Sequence, residues 1–339
     1  MLKLYKDIKP LINLNELQKN NIQIFNQKIL AKNYNLVKTK CPICLDNNKD
    51  QSYEVISNKD RFGINVKNII CENCGLIRNL RCLDEESLKN FYKNEYRKIY
   101  TGKISTDQNH LEKVFLAQYE TGKKYYELIK KYINKNDSKN ILEIGCSSGG
   151  TLSYFKEKGF NILGLDYDES YINFGKNKNL NLEFGSIEKV KSTKFDVIIL
   201  SHVFEHIHDL KFFIESISTN LATNGLIFIA VPGIYHKEYY SIRHIRRDYK
   251  RIFFLYYLQN AHIYSFSKKT LSNFFKFSTS KFKVLHIDEE INCILKINNN
   301  ELSSSSANTS LISSDYLNFK MFYYINYIKF VIISLFFKD

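Results

Sequence analysis

The sequence predicts an α/β protein in which a mostly parallel sheet carries helices on both faces. From about residue 140 to residue 297, short apolar runs alternate with segments whose apolar residues have helical spacing. Repeated strand–helix–strand units form parallel sheets, and their right-handed connections bring the carboxyl ends of the strands to one edge. Upstream of this region, two C-x-x-C pairs indicate a second, smaller module. A length of 339 residues is sufficient for both.

The apolar runs define the strands of the predicted sheet. They are residues 141–145, 161–166, 181–185, 195–200 and 225–231, followed by a hairpin candidate at 281–287 and 292–297. Gly159 is expected to end the helix after the first strand, because glycine readily adopts the left-handed conformation found there. A helical stripe that ends with Leu221 precedes the fifth strand, and residues 268–277 predict a helix before the hairpin.

We divide the chain into four segments. They are a helical N-terminal segment (1–35), a cysteine-containing module with an aromatic helix (36–104), the α/β domain (105–300), and a Ser-rich linker with an apolar C-terminal helix (301–339). The aromatic helix is expected to begin after Asp84, whose side chain can cap it, with Glu85 and Glu86 in the first turn. A long helical pattern over residues 111–133 leads into the first strand of the sheet.

The chain has an excess of positive charge, with 49 Lys and Arg against 35 Asp and Glu, and a formal net charge of +14. Such a charge is typical of nucleic-acid binders, of proteins at membrane surfaces and of enzymes with anionic substrates. Lysine is spread over most of the chain, as compositional drift alone would also produce. A local cluster of arginines and aromatics, which includes Arg243 and Arg247, follows the fifth strand. Because arginines bind phosphates and aromatic rings stack on bases or sugars, this cluster predicts contact with a phosphate-bearing substrate. The alternative is a solvated lid helix.

The cysteines and the chain ends predict a cytoplasmic protein. Lys3, Lys6 and Lys9 interrupt any apolar core of a signal peptide. The cysteines number seven, four of them in two pairs, which favours a reducing compartment and a metal site over disulfides. The apolar stretch 321–337 is expected to pack as a helix on the protein or on a second subunit, with peripheral membrane contact and a membrane span as alternatives. The sequence indicates no oligomeric state.

A glycine-rich turn, G-C-S-S-G-G, follows the first strand of the sheet. Gly145 and Gly149 allow a tight turn and a close approach of a ligand to the backbone at a helix N-terminus. Glu143 stands two residues before the turn, where a buried carboxylate requires a partner or a ligand. The second strand ends at Asp166, and a carboxylate there suits the two hydroxyls of a ribose. These residues predict a nucleoside cofactor at the carboxyl edge of the sheet.

The runs ILEIGCSSGGTL, GLDYDES, FDVIILSHVFEHIHDL and GLIFIAVPG resemble class I S-adenosylmethionine-dependent methyltransferases over roughly residues 105–300. The resemblance implies a Rossmann-like sheet with S-adenosyl-L-methionine as the cofactor. Glu143 would then lie near the amino acid group of the cofactor, and Asp166 would bind the ribose hydroxyls. The other implied contacts are Gly145, Cys146, Ser147 and Gly149 along the methionine part, Tyr167, Ser186 and Ile187 at the adenine, and Ser201 and His202 after the fourth strand.

Cys41-x-x-Cys44 and Cys71-x-x-Cys74 predict a small zinc-ribbon module, because four thiolates in a tetrahedral array suit structural Zn²⁺. A module of this size has little core, so metal binding would supply on the order of 10 kcal/mol of its folding free energy.

The run CENCGLIRNL followed by DEESLKNFYKNEYRKIY resembles the zinc-binding lead-in of sugar C-methyltransferases and their relatives in surface-glycan and antibiotic gene clusters. Phe91, Tyr92 and Tyr96 match that pattern, which implies that this tyrosine-rich segment helps to cover the substrate. Those sugar enzymes carry a sizeable third domain after the methyltransferase core, whereas only a linker and a short apolar tail follow Ile297 here.

The candidate catalytic residues follow the fourth predicted strand. Three histidines stand there: His202, His206 and His208. Methyl transfer requires positioning, plus a base where the nucleophile carries a proton. Glu205-His206 matches a widespread motif of the resembled family, so His206 is the first candidate for the base, with a loop-bracing role for the pair as the alternative. His262 and Tyr264 match another recurrent segment and face the acceptor, unless Tyr264 belongs to the core.

The combined expectation is a methyltransferase that acts on a nucleotide sugar or on a surface-glycan intermediate of polysaccharide biosynthesis. A zinc-bearing RNA methyltransferase is the second hypothesis, which the scattered charge and the lack of a recognisable RNA-binding module disfavour. A binding scaffold that has kept the fold and lost activity is the third, and the intact Glu143, Gly145 and Asp166 argue against it.

Overall fold

A computed structural model describes residues 10–44, 52–104, 107–133, 139–190, 192–234, 258–279, 281–298, 316–317 and 320–321. The predicted cluster with Arg243 and Arg247, and most of the predicted apolar tail, lie outside these residues. The described strands form a seven-stranded sheet, a four-stranded sheet and a two-stranded ribbon.

The strands and helices are named in chain order. The strands are β1 (Leu36–Lys38), β2 (Tyr53–Lys59), β3 (Asn65–Cys71), β4 (Ile77–Asn79), β5 (Arg81–Leu83), β6 (Asn140–Ile144), β7 (Asn161–Asp166), β8 (Leu182–Phe184), β9 (Phe195–Ser201), β10 (Leu221–Ala230), β11 (Tyr264–Ser265), β12 (Phe282–Ile287) and β13 (Asn292–Ile297). The described α-helices are α1 (Glu16–Leu30), α2 (Glu85–Phe91), α3 (Arg97–Tyr100), α4 (Gln108–Ile129), α5 (Gly150–Glu157), α6 (Glu169–Asn177), α7 (Leu210–Ser218) and α8 (Lys268–Phe277).

The seven-stranded sheet has the order β12-β13-β10-β9-β6-β7-β8. The five strands from β6 to β10 run parallel, and β13 pairs antiparallel with β10 and with β12. The chain adds β7 and β8 on one side of β6 and then returns to add β9 on the other side. Ligands bind at the carboxyl edge of such a sheet, where the strand order reverses. The predicted doubly wound sheet with its final hairpin is therefore confirmed.

The sheet is buried on both faces, which explains the continuous apolar runs of its strands. Ile198 and Ile199 are neighbours on β9, point to opposite faces and are both fully buried. Ile198 packs in a core with side chains of α7 and α8, and Ile199 packs in a core with side chains of α4 and α5. One predicted boundary is wrong: Leu221 begins β10 and does not belong to the preceding helix, because it pairs with Phe195 of β9.

The N-terminal part of the chain forms an antiparallel sheet with the order β11-β4-β3-β2. Behind it, α2 and α3 are joined by a π-helical turn, Tyr92–Tyr96, into one aromatic helix. Helix α1 packs against this helix. Glu95 of the π turn is buried and accepts hydrogen bonds from the Tyr34 hydroxyl and from the Lys28 ammonium at 2.6 Å.

Strand β11 joins the N-terminal sheet although it lies in the α/β domain of the sequence. Tyr264 pairs with Arg78 and Ser265 with Ile77 of β4. We call residues 258–265 the bridging segment. The division that we predict at residue 104 is therefore crossed by a shared sheet, and one continuous apolar core contains side chains from both sides of it.

A buried carboxylate fixes the start of the bridging segment to the N-terminal sheet. Asp60 is 3% exposed. Its Oδ1 accepts the backbone N–H groups of Phe62 and Ile64 at 2.9 and 3.0 Å, and its Oδ2 accepts the N–H of Asn260 at 2.8 Å. The Asn79 side chain donates to the Asn260 carbonyl at 2.9 Å. The position of the bridging segment therefore depends on the cysteine-containing module (36–104), which we also call the N-terminal module.

Among the described residues, no helix combines the length and the apolarity needed to cross a bilayer.

We expect Asp60→Asn to lower the free energy of unfolding by about 1–3 kcal/mol, because the amide nitrogen cannot accept the backbone N–H that faces it. Urea denaturation followed by circular dichroism measures the effect. The control is Glu188→Gln, which neutralises a carboxylate on an exposed residue and is expected to change the stability little. Equal stability of the two variants would contradict the anchoring role of Asp60.

Candidate functional site

The glycine-rich turn lies between the end of β6 and the start of α5, at the carboxyl edge of the sheet. Gly145 and Gly149 both have positive φ angles, of 74° and 77°, so the turn uses the conformational freedom of glycine at both positions. Ser147 between them also has a positive φ, 51°, which is unusual for a residue with a side chain. The predicted tight glycine-rich turn is therefore present, at the N-terminus of α5.

Gln118 of α4 braces this turn, and sequence reasoning missed it. Its amide nitrogen donates to the Cys146 carbonyl at 3.2 Å, and its Oε1 accepts the Ser148 hydroxyl at 2.7 Å. Apolar periodicity predicts α4 but assigns no role to its polar residues, so no signal in the sequence pointed to Gln118.

Asp166 stands at the end of β7, beside the glycine-rich turn. Its Oδ2 accepts the Ser147 N–H at 2.8 Å, and its Oδ1 accepts the Asp168 N–H at 2.9 Å. Burial raises the pKa of Asp166, against the effect of the nearby Arg97 guanidinium. Arg97 comes from the aromatic helix, lies 3.3 Å from Asp168 through its Nε, and stacks on the Tyr171 ring at 4.1 Å. The N-terminal module thus places a cation at the predicted ribose position, which sequence reasoning also missed.

Glu143 is buried, at 1% exposure, in the middle of the sheet edge. Burial raises its pKa well above the usual range. Its Oε2 has no hydrogen-bond partner among the described residues. A buried oxygen without a partner costs free energy unless a ligand satisfies it, so Glu143 fits the predicted contact with a polar group of the cofactor.

The other predicted cofactor residues lie around the same edge. Cys146 is fully buried, and Tyr167 is 56% exposed beyond the end of β7. Ser186 and Ile187 are half-buried after β8. The Ser201 hydroxyl lies 3.0 Å from the Tyr125 hydroxyl of α4, and His202 has a positive φ of 55°. The structure therefore brings these positions to the carboxyl ends of β6, β7, β8 and β9.

The π turn of the aromatic helix faces the loop after β9. The Tyr92 oxygen lies 2.7 Å from His206 Nδ1, and the centre of the Tyr96 ring lies 6.4 Å from that of His206. A π turn inserts an extra residue into a helix and often occurs at functional sites. Tyr92 and Tyr96 thus stand beside the candidate base His206.

Glu205 and its neighbouring imidazoles form a compact cluster at this place. Glu205 is 1% exposed, and its Oε1 lies 3.6 Å from His202 Nδ1, 3.7 Å from His206 Nε2 and 3.8 Å from His262 Nε2. His262 comes from the bridging segment. The sequence predicted each of these four residues as a site residue, but it did not predict that the three histidines meet around the Glu205 carboxylate.

The proton of His206 can be assigned from its surroundings. Its Nδ1 lies 2.8 Å from the Ala261 carbonyl oxygen, which can only accept, so Nδ1 carries the proton. The Tyr92 oxygen, 2.7 Å away, accepts from the same N–H group. The Nε2 lone pair of His206 therefore faces Glu205. Burial lowers the pKa of both His206 and His262, to about 3 for His262, so both rings are neutral near pH 7.

Tyr264 and His208 lie near the cluster around Glu205, but their side chains contact other groups. Tyr264 is 3% exposed, its hydroxyl donates to the His208 carbonyl at 3.0 Å, and it pairs within the N-terminal sheet. Of its two predicted roles, the structure supports the core position. His208 faces Cys82, with its Nδ1 at 3.8 Å from the sulfur, and does not join the imidazoles around Glu205.

The four cysteines of the two C-x-x-C pairs converge on one point. Cys41 Sγ lies 3.4 Å from Cys74 Sγ, Cys44 Sγ lies 3.6 Å from Cys71 Sγ, and all four sulfurs are within 4.8 Å of one another. Sulfurs bound to tetrahedral zinc at about 2.3 Å stand about 3.8 Å apart. The cysteine cluster therefore has the donor type, the number and nearly the spacing of a four-thiolate zinc site.

Residues 116–278 match the sequence profile of a family described as "Methyltransferase domain". The ubiquinone biosynthesis O-methyltransferase of Rickettsia canadensis (strain McKiel) is 28% identical over 120 residues, which are 33% of this chain and 51% of that protein. The enzyme of that name from Pelagibacter ubique (strain HTCC1062) is 34% identical over 106 residues, 29% of this chain and 44% of that protein. The chain thus spans about half the length of these curated relatives.

Among solved structures, the plantazolicin methyltransferase BpumL in complex with SAH aligns with a TM-score of 0.42 and 16% identity, over 69% of this chain and 87% of that one.

We expect Gly145→Ala to destabilise the protein by more than the roughly 1–2 kcal/mol that a left-handed alanine costs. A Cβ at this position would lie 2.5 Å from Val203 Cγ2, in the loop that leads to Glu205. The matched control is Gly159→Ala, where φ is also positive, 83°, and no atom lies within 4 Å of the added Cβ. Thermal unfolding compares the two, and equal losses of stability would show that the contact with Val203 imposes no constraint.

Proposed function

We propose that this chain, whose residues 116–278 carry the methyltransferase domain, transfers a methyl group from S-adenosyl-L-methionine to a small acceptor. The proposal rests on one edge of the sheet, which holds the glycine-rich turn and Asp166 at the end of the neighbouring strand. The same edge holds the buried Glu143, whose Oε2 has no hydrogen-bond partner among the described residues. Two curated relatives named as ubiquinone biosynthesis O-methyltransferases, 28% and 34% identical over 120 and 106 residues, support a methyl-transfer reaction.

Each cofactor-facing residue has a separate task in this proposal. The cofactor supplies an already activated methyl group, so the protein mainly positions the two reactants. Asp166 binds the ribose hydroxyls, Glu143 binds the amino acid group, and the backbone of the glycine-rich turn passes close to the methionine part. Tyr167, Ser186 and Ile187 border the adenine, while Ser201 and His202 border the reacting end.

The acceptor lies, in this proposal, between the loop after β9 and the aromatic helix. Among the described residues, Tyr92 and Tyr96 stand beside His206, and His262 stands beside Glu205. The basic cluster with Arg243 and Arg247 follows β10 in the sequence. His206 and Glu205 are the proposed acid–base pair for an acceptor that loses a proton. Aromatic and basic groups together suit a phosphate-bearing sugar, so a nucleotide sugar or glycan intermediate is the proposed acceptor class.

The cysteine cluster is proposed to hold a structural Zn²⁺. Cys41, Cys44, Cys71 and Cys74 would be its four ligands, and the spacing of their sulfurs supports this assignment. Zinc would then join the turn between β1 and β2 to the turn between β3 and β4. Strand β4 pairs with β3 and with the bridging segment.

The cofactor proposal predicts that Asp166→Ala weakens binding of S-adenosylmethionine roughly 10- to 100-fold, because two hydrogen bonds to a charged group are lost. Isothermal calorimetry measures this. The control is Asp196→Asn, at the start of β9 on the opposite edge of the sheet, where the carboxylate accepts only the Asn140 N–H among the described contacts. Unchanged cofactor affinity in Asp166→Ala, with wild-type circular dichroism, would refute the assignment.

The acceptor class is tested with cofactor labelled in its methyl group and a panel of nucleotide sugars, glycan intermediates and RNA. Transfer to a nucleotide sugar or glycan supports the proposal. Transfer to RNA alone would favour the second hypothesis, and failure of the wild type to bind the cofactor would favour a scaffold without activity.

The zinc proposal predicts that Cys44→Ser lowers the bound zinc below one equivalent per chain and lowers the unfolding midpoint, because one of four ligands is lost. Atomic emission spectrometry on the purified protein measures the zinc content per chain. Cys82→Ser is the control, since Cys82 is a buried cysteine of this module that lies outside the cluster. Equal zinc contents in the two variants would contradict the proposal.

A further inference from the structure

We propose that Glu205, His206 and His262 form a second metal site, which binds a divalent first-row transition cation. The site is separate from the cysteine cluster and differs from it in donor type. One carboxylate oxygen and two imidazole nitrogens lie within 4.8 Å of one another. This donor set, two histidines and one carboxylate, is typical of sites for divalent iron and related cations that keep open positions for further ligands.

The distances around Glu205 favour a cation over a hydrogen bond. Its Oε1 stands 3.7 and 3.8 Å from the Nε2 atoms of His206 and His262, which is beyond hydrogen-bonding range. Ligand atoms at about 2.1 Å from a metal stand about 3.0–3.4 Å apart, depending on the coordination geometry. The observed separations therefore exceed those of a bound cation by only about 0.3–0.8 Å.

The carboxylate of Glu205 supplies the second, independent observation. The residue is 1% exposed, and neither of its oxygens has a hydrogen-bond partner among the described residues. A buried carboxylate with two unsatisfied oxygens is costly, whereas a cation between it and the imidazoles would neutralise it. Three imidazole nitrogens, from His202, His206 and His262, lie 3.6–3.8 Å from its Oε1.

The surroundings of His206 prepare it as a ligand. Its Nδ1–H group donates to the Ala261 carbonyl at 2.8 Å, which leaves the Nε2 lone pair directed at Glu205. A hydrogen bond from the second ring nitrogen to a backbone carbonyl is the usual support of a metal-binding histidine, because it fixes the tautomer and the ring orientation. Without a cation, this lone pair and a carboxylate oxygen would face each other in a buried space.

The ligands come from two parts of the fold. Glu205 and His206 follow β9, and His262 lies on the bridging segment that the N-terminal sheet holds. His202 borders the cluster with its Nδ1 at 3.6 Å from Glu205 and a side chain that is 60% exposed, so this side is open to an incoming oxygen ligand. The metal site is an alternative to the acid–base role proposed above for Glu205 and His206, because the Nε2 lone pair of His206 cannot bind a cation and accept a proton at once. Its existence does not depend on methyl transfer.

The test uses the full-length chain with its thiol site loaded with one equivalent of zinc and Co²⁺ alone as the probe. We expect one further equivalent of Co²⁺ to bind, and X-ray absorption at the cobalt edge to show nitrogen and oxygen neighbours without sulfur. Sulfur neighbours would mean that cobalt has entered the cysteine cluster. If no cobalt binds with a nitrogen and oxygen shell, the proposal is overturned, whether or not the zinc and methyl-transfer proposals hold.

Variants identify the ligands. Loss of a residue that only hydrogen-bonds to a metal ligand typically weakens metal binding about 10- to 100-fold. Since His262 is a proposed ligand, we expect His262→Ala to weaken Co²⁺ binding by more than this. His286→Ala is the matched control, since its Nε2 stands 3.9 Å from the Asp288 carboxylate in a pair that is more exposed. Cobalt binding at wild-type affinity in folded His262→Ala overturns the assignment. If that variant does not fold, Glu205→Gln, which keeps the shape of the side chain, is judged by the same criterion.

Discussion

The pairing of the bridging segment with strand β4 is the interaction on which the rest of this molecule depends. This pairing consists of two residue pairs. The buried Asp60 carboxylate and the Asn79 side chain reinforce it by hydrogen bonds to the backbone of Asn260. Because of it, the cysteine-containing module and the parallel sheet share one apolar core. It also brings His262 to Glu205, so the geometry of the imidazole cluster is a property of both parts and of neither alone.

The carboxyl edge of the parallel sheet holds two strained residues and two buried carboxylates of the described chain. Ser147 and His202 adopt left-handed backbone conformations after β6 and β9, and Glu143 and Glu205 are buried with oxygens that the described residues do not satisfy. Strain and unsatisfied carboxylates cost free energy, and the well-packed cores on the two faces of the sheet offset that cost. The same edge carries both the proposed cofactor contacts and the proposed cation site.

The features that could be predicted from the sequence are those encoded locally. Apolar runs marked the strands, glycines marked the turn after β6, and the two C-x-x-C pairs marked the cysteine cluster. Gln118 and Arg97 could not be found in this way, because they act across the fold and their spacing in the sequence carries no signal. The π turn was missed because its extra residue leaves the helical pattern nearly unchanged. The choice between two roles for Tyr264 required the knowledge that β11 pairs with β4.

The shared sheet also determines when this molecule can be completed during synthesis. Tyr264 follows its partner Arg78 by 186 positions, so the N-terminal sheet lacks its last strand until most of the chain has left the ribosome. At ordinary translation rates of 5–20 residues per second, that interval is roughly 10–40 s. During this time one edge of β4 is unpaired, and an unpaired edge is a template for association with other chains. Because the bridging segment is synthesised long after β4, the N-terminal sheet can be completed only after most of the α/β domain has been made.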